Sequence, residues 1–154
     1  ERLTMIAVEP NPILVDQLDT YFVLKPANCY QEIQLKFGKT SKYVYRFIDF
    51  LITEAAHRER KGAQNGEEWI IQRNWHILAQ ILRMDSWLKS RQWKAIRGSL
   101  DKSYAIAKEL GYLLNYESGV EGKTREIDRL HLNPDKFRHV QEVEKRRQEI
   151  EAGA

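Results

Sequence analysis

One stretch of the chain, residues 90–110 (SRQWKAIRGSLDKSYAIAKEL), constrains the fold more than any other. Its apolar residues recur every three or four positions and so fall on one face of a helix: Trp93, Ile96, Leu100, Tyr104 and Ala107. The opposite face carries basic or very small residues: Arg91, Lys94, Ala95, Gly98 and Lys102. We therefore predict one long amphipathic helix, capped by Ser90, with a cationic and sterically flat outer side.

A glycine inside this helix needs a physical reason, because Gly costs roughly 1 kcal/mol against Ala in a helix interior. Close approach of another surface at Gly98 would supply one, and the major groove of duplex DNA suits a flat cationic helix face. A solvated surface with scattered lysines is the alternative. Charge placement favours the groove, since residues 86–102 hold five basic residues against one acid, Asp101.

The segments before this helix predict a mixed set of short elements. Apolar runs at 3–8 and 21–24 favour strands. A short helix should cover 29–37, with Asn28 as its N-cap, and a long buried helix should run from the Thr40-Ser41 cap to about residue 58. A strand stub at 69–71 and a second helix at 75–84, capped by Asn74, then lead into the basic helix.

After Gly111, two runs at 112–116 and 123–132 alternate between apolar and polar residues, which is typical of a β-hairpin. Residues 135–151 are helix-prone and mostly charged. Helix, strand stub, helix, turn, basic helix and hairpin follow one another in the order of a winged helix-turn-helix. We therefore predict a mainly α (α+β) fold with a hairpin wing and a C-terminal helix. Its expected parts are an N-terminal extension (1–40), the winged-helix domain (41–137) and a charged helix or linker (138–154).

Five segments carry a family resemblance: VYRFIDFLITEA, EWII, NWHILAQIL, KELGYLLNYE and RLHLNPDKF. On these, residues 41–137 resemble the winged-helix DNA-binding domains of plasmid replication initiator proteins, over roughly two thirds of the chain. The resemblance implies binding to repeated origin sequences, help in melting the origin and contacts with replication proteins, often through two winged-helix units. Residues 1–40 do not match a second unit, so the chain would be one DNA-binding half or a shortened relative.

The predicted DNA contacts follow from position on the helix and in the wing. Arg91 suits bidentate contact with guanine, and Gln92 could contact adenine. Phosphate contacts position such a protein, and we assign them to Lys89 and Ser90. Lys94 and Lys102 should lie on the groove-facing side, with Lys94 near the helix start, where recognition helices meet base edges. Ala95, Gly98 and Ser99 would let the helix backbone approach the groove. In the wing, Lys123 and Arg125 would reach the minor groove or the backbone. Arg97, at the border of the apolar face, could cover Trp93 or contact DNA.

No constellation of catalytic, metal-binding or nucleotide-binding residues is evident, so we expect no enzyme, no cofactor and no metal. The four histidines lack metal-ligand spacing, and no phosphate-binding glycine loop occurs. Cys29 is the single cysteine, so no disulfide forms within the chain, which fits a cytoplasmic, nucleoid- or plasmid-associated protein. No apolar run is long enough to span a membrane. Of the four tryptophans, we expect Trp87 to be the exposed one.

Three other functions stay open at this stage. A transcription regulator would use the same groove chemistry, and a winged-helix protein-interaction module would use the fold without DNA. Val140, Val143 and Ile150 could support a homodimer through the C-terminal helix. The sequence begins without an initiator Met, from which we expect a domain of a longer protein or a processed N-terminus.

Overall fold

The structure is a computed structural model, and it describes residues 28–61, 69–121, 123, 125–137, 146 and 148–153. In chain order its elements are α1 (Cys29–Phe37), α2 (Lys42–Arg60), β1 (Ile70–Asn74), α3 (Trp75–Ile81), α4 (Asp85–Lys89), α5 (Trp93–Glu109), β2 (Leu113–Glu121), β3 (Ile127–Leu132) and a 3-10 turn (Pro134–Phe137). The strands predicted at 3–8 and 21–24 lie outside the described residues. In the predicted C-terminal helix, positions 146 and 148–153 are helical, and positions 138–145 lie outside the described residues.

The three strands form one antiparallel sheet in the order β1-β3-β2. β3 pairs with β1 from Ile70↔His131 to Asn74↔Ile127, and with β2 on its other side. The β2–β3 register shifts twice, once near Leu113 and once between Glu117 and Glu121. The predicted hairpin is therefore confirmed, and β2 continues through residues expected to form a loop. The described architecture is mixed helix and sheet, as the α+β prediction requires.

The core lies between α2, α5 and the inner face of the sheet. Residues of α2 at helical spacing are fully buried, including Phe47, Ile48 and Leu51. They pack in one cluster with α5 residues such as Leu100 and Tyr104. Burial of such side chains contributes roughly 1.5–3 kcal/mol each. This packing fixes one side of α5, while Lys94, Gly98 and Lys102 on its other side are exposed.

Several predicted helix boundaries are confirmed because they depend on local hydrogen bonds. The Ser41 Oγ accepts a hydrogen bond from the Tyr43 backbone N–H at 3.3 Å, and the Asn74 side chain accepts one from the His76 N–H at 2.8 Å. Gly38 ends α1 with a φ of 66°. Asn28 precedes α1 as expected, although its side chain makes no capping hydrogen bond.

Two predicted helix boundaries are wrong. The prediction starts the basic helix at residue 90, before its observed start, and ends the preceding helix at residue 84, after its observed end. α3 ends at Ile81, and a separate short helix, α4, follows before α5 begins at Trp93. Ser90 does not cap α5. It ends α4, where its Oγ donates a hydrogen bond to the Ser86 carbonyl at 2.7 Å. Because the residues before Trp93 form the hydrogen bonds of α4 and of the turn after it, they do not extend α5 toward its N-terminus.

Candidate nucleic-acid interface

The outer face of α5 is exposed, as the groove hypothesis requires. Lys94, Gly98 and Lys102 are all exposed, while Ser99 and Ala95 at the edges of this face are partly buried. A Cβ placed on Gly98 would meet no atom within 4 Å outside its own helix. Gly98 is therefore not required by packing among the described residues, and it leaves a flat strip between two lysines.

The predicted contact residues before Trp93 lie in α4 and the turn after it, and not on α5. Lys89 and Ser90 end α4, and Arg91 and Gln92 form the connection to α5. All four are exposed. Arg91 has a φ of 54°, in the left-handed region that costs a non-glycine residue roughly 1–2 kcal/mol. Non-glycine residues held in this region of φ cluster at functional sites.

The hairpin tip carries the two predicted wing cations. Lys123 and Arg125 are both exposed, and Arg125 also has a positive φ, 54°. Gly119 permits this turn, because a Cβ there would lie 3.1 Å from the Arg125 carbonyl oxygen and Gly119 itself has a φ of 64°. The backbone of β2 at Gly119 therefore lies directly against Arg125.

A buried carboxylate ties α5 to the hairpin. Asp128 on β3 is fully buried, and its Oδ2 accepts hydrogen bonds from Arg97 at 2.6 Å and from the Tyr104 hydroxyl at 2.7 Å. Its Oδ1 accepts the Gly119 backbone N–H at 3.0 Å. Arg97 also pairs with Asp101 at 2.7 Å. Breaking such a buried pair typically costs about 3–5 kcal/mol, so this network holds the helix and the hairpin in one relative orientation.

The ionisation of this network follows from burial and charge. Burial alone would lower the pKa of Arg97, but the hydrogen bond and charge of Asp128 outweigh it and raise that pKa above its usual value. Burial raises the pKa of the Tyr104 hydroxyl, and the charge of Asp128 raises it further. Both groups therefore keep the protons that they donate to Asp128. Arg97 serves this network, and its guanidinium carbon lies 5.9 Å from the centroid of the Trp75 ring. Contact of Arg97 with DNA stays a prediction.

The basic residues of the described segments divide into two sets. One set is neutralised by carboxylates: Lys36, Arg58, Arg73, Arg97, Arg129 and Lys136. The second set has no carboxylate of the described residues within ion-pair distance: Lys39, Lys42, Arg46, Lys61, Arg83, Lys89, Arg91, Lys94, Lys102, Lys108, Lys123, Arg125 and Arg146. Six members of this set lie on the outer side of α5, between α4 and α5 or at the hairpin tip: Lys89, Arg91, Lys94, Lys102, Lys123 and Arg125. Every charged residue predicted to contact DNA belongs to it.

Sequence reasoning missed one exposed arginine with a positive φ like those of Arg91 and Arg125. Arg83, in the turn between α3 and α4, is exposed, has a φ of 57°, and lacks a carboxylate partner in the part of the chain that the structure describes. Nothing in the local sequence signals its conformation. Sequence reasoning also missed the burial of Asp128. The signal was available, because Asp128 lies two residues before the apolar Leu130 on an alternating strand and so shares its buried face.

The expectation that Trp87 is the exposed tryptophan is wrong. Trp87 is partly buried and packs against Tyr43, with ring centroids 5.1 Å apart. Trp93, assigned to the apolar face, is instead 42% exposed. The late start of α5 explains the difference, because Trp93 is its first residue and projects beyond the core.

Neither a membrane span nor a metal cluster is found in the described segments. No helix there is long and apolar enough to cross a membrane. No group of three or more His, Cys, Asp or Glu side chains there could hold a metal ion.

The fold and the surface together describe an α+β domain with a cationic helix face and a hairpin beside it. The chain is similar to the virulence plasmid protein pGP2-D of Chlamydia trachomatis serovar L2, with 41% identity over 150 residues, covering 92% of this chain and 42% of that protein. The protein of the same name from Chlamydia muridarum is 42% identical over 139 residues, covering 86% and 39%. That from Chlamydia psittaci is 41% identical over 138 residues, with the same coverage.

The chain therefore spans about two fifths of the length of the curated relatives that it matches. No protein-family model matches the chain. No solved structure matches it either.

Proposed function

We propose that this chain is a winged-helix domain that binds double-stranded DNA in a sequence-specific manner, as the origin-recognition domain of a plasmid-type replication initiator. In this proposal α3 and α5 are the helix-turn-helix pair, with α4 inserted in the turn, and β2–β3 is the wing. The names of the relatives, which call them plasmid proteins, agree with a plasmid role.

The observation that carries the proposal is that the cations on the outer face of α5, in the turn before it and at the hairpin tip are exposed and not neutralised by described carboxylates. A surface arginine or lysine that is already paired with a carboxylate gains little from a phosphate. The cations of the α5 face, of the turn before α5 and of the hairpin tip have no such partner among the described residues. Phosphate neutralisation by such residues releases counterions and supplies much of the affinity for DNA.

In the proposed complex, the outer face of α5 lies in the major groove. Gly98 and Ser99 let the helix backbone approach the base edges, while Lys94 and Lys102 contact phosphates on either side. Arg91 lies just before the helix, where recognition helices meet bases, and its guanidinium matches the two acceptors of guanine. Lys123 and Arg125 at the hairpin tip would contact the backbone or the minor groove.

A winged-helix protein-interaction module remains the alternative from another class. It predicts a neutral surface around Gly98 with apolar residues in reach. Lys94 and Lys102 flank Gly98, and both are exposed and unpaired in the described segments. This charge favours DNA over an apolar protein partner. A transcription regulator differs from an initiator in its partners and uses the same face.

The test is the salt dependence of binding to a short fluorescent duplex of random sequence. With about five phosphate contacts, the slope of log affinity against log salt should lie near −4 to −5. The double variant Lys94→Gln/Lys102→Gln should lower the affinity and reduce the size of the slope by about 2, because each lysine bound to a phosphate contributes about 1 to it.

The matched control is Lys36→Gln/Lys136→Gln, which changes the net charge equally but removes two cations that are paired with Glu109 and Glu32. It should leave affinity and slope close to those of the unaltered protein. A slope near zero would rule out the DNA proposal. Equal losses of affinity in the two double variants would mean that net charge alone, and not the α5 face, binds DNA.

A further inference from the structure

We propose that Trp93 reads a base in the duplex by apolar contact with a thymine methyl group. This inference rests on the proposed function and adds a specificity-determining residue to it. Its starting point is the exposure of Trp93, 42%, at the first position of α5. The exposed part of this ring is apolar area from which a partner would remove water, at roughly 25 cal/mol per Å² covered.

The Trp93 ring is held in one orientation by two other rings. Its centroid lies 5.1 Å from the His76 ring at an interplanar angle of 72°, and 6.1 Å from the Trp75 ring at 77°. His76 and Trp75 in turn stack on each other with centroids 3.7 Å apart. Edge-to-face pairs of this kind contribute about 0.5–1.5 kcal/mol beyond the area that they bury. The exposed ring is therefore preorganised.

The aromatic cluster of Trp75, His76 and Trp93 connects two cationic parts of the candidate interface. One part is the start of α5 with the turn before it, and the other is the hairpin tip. On one side Trp93 is followed by Lys94, and its backbone N–H donates to the Arg91 carbonyl at 2.9 Å. On the other side the Trp75 N–H donates to the Glu126 carbonyl at 3.0 Å, next to Arg125 at the hairpin tip. A duplex that contacts both cationic parts would cover the space in front of the Trp93 ring.

The chemistry of the ring determines which base feature it can read. An indole face offers apolar contact, and the indole Nε1–H is a single donor that the N7 of adenine and the N7 of guanine accept equally well. The thymine C5 methyl is the apolar group that the major groove presents, and apolar side chains are used to contact it. The charge around the cluster favours DNA as the occupant over an apolar surface of another protein.

The experiment begins with selection of duplexes from a randomised library by the unaltered protein. Each thymine of the selected site is then replaced by uracil, which lacks only the methyl group. We expect one or two replacements to weaken binding by about fourfold, the value of one buried methyl group. Trp93→Ala should lose this dependence on the methyl group without changing the salt slope, and Trp93→Phe should keep part of it.

The control variant is Leu114→Ala, which truncates another exposed apolar residue, 59% exposed, on β2. It should keep the full preference for the methylated duplex. Equal affinity of Trp93→Ala and the unaltered protein for every duplex would overturn the inference. So would a Trp93→Ala variant that loses binding only to single-stranded oligothymidine, which would indicate stacking on unpaired bases. If the unaltered protein binds no duplex at all, the proposed function itself fails, which is a different result.

Discussion

Two buried tyrosines allow one chemical change to be made in two opposite environments. Tyr104 and Tyr112 are both 0% exposed. The Tyr104 hydroxyl donates to the Asp128 carboxylate at 2.7 Å. The Tyr112 hydroxyl is buried and has no hydrogen-bond partner among the described residues. Replacement of each tyrosine by phenylalanine removes the same oxygen atom, so the two variants differ only in what that oxygen contacts.

We expect Tyr104→Phe to lower the free energy of unfolding and Tyr112→Phe to leave it unchanged or raise it. Tyr104→Phe removes a hydrogen bond to a charged acceptor, which is typically worth about 1.5–3 kcal/mol, so the protein should be destabilised by that amount. Tyr112→Phe removes a hydroxyl whose burial without a partner costs about 1–3 kcal/mol. Because its removal leaves a small void, we expect this variant to be unchanged or more stable by up to about 1 kcal/mol.

Urea denaturation followed by circular dichroism measures both values. For a chain of this size, with a urea dependence of about 1–3 kcal/mol per molar, a loss of 2 kcal/mol lowers the midpoint by about 1 M. The Tyr112→Phe midpoint should equal or exceed that of the unaltered protein. Destabilisation of both variants by the same amount would refute the reasoning, because it would mean that the Asp128 network adds nothing beyond packing.

Three further outcomes follow from the described geometry. Arg91→Gly should raise the free energy of unfolding, measured by urea denaturation, by about 1 kcal/mol, because glycine tolerates the φ of 54°. The same variant should weaken DNA binding, measured by duplex titration, by roughly 1–3 kcal/mol. Unchanged binding would contradict the second expectation. Gly98→Ala should stabilise the protein to urea by about 0.5–1 kcal/mol, because its Cβ enters open space within a helix, and a lower midpoint would show that the site is packed. The raised pKa values of Tyr104 and Tyr112 mean that both hydroxyls stay protonated in the folded protein. Because the unfolded chain releases these protons near pH ~10, the free energy of unfolding should be intact below that pH and fall as the pH rises above it. A urea midpoint that rises through this range would contradict the assignment.

Much of the fold was predictable because its causes are local. The apolar spacing of α2 and α5 fixes which side of each helix enters the core, and caps such as Ser41 and Asn74 hydrogen-bond to a backbone N–H two residues away. The alternation of β3 likewise indicated a strand. The exposed cations of the interface followed from the same periodicity, since residues opposite the apolar face of a helix face away from the core.

The tertiary structure alone decided where α5 begins and which polar groups are buried. Residues 85–92 satisfy their backbone hydrogen bonds through α4 and a turn, so α5 starts at Trp93 and that ring becomes exposed. Asp128 can be buried because Arg97, 31 residues earlier in the chain, and Tyr104 donate to it across the fold. Local propensity carries no information about partners at such separations. The residue pattern predicts most of the helices and strands and their apolar faces, whereas three-dimensional packing fixes the start of α5 and the way the helix and the hairpin are joined.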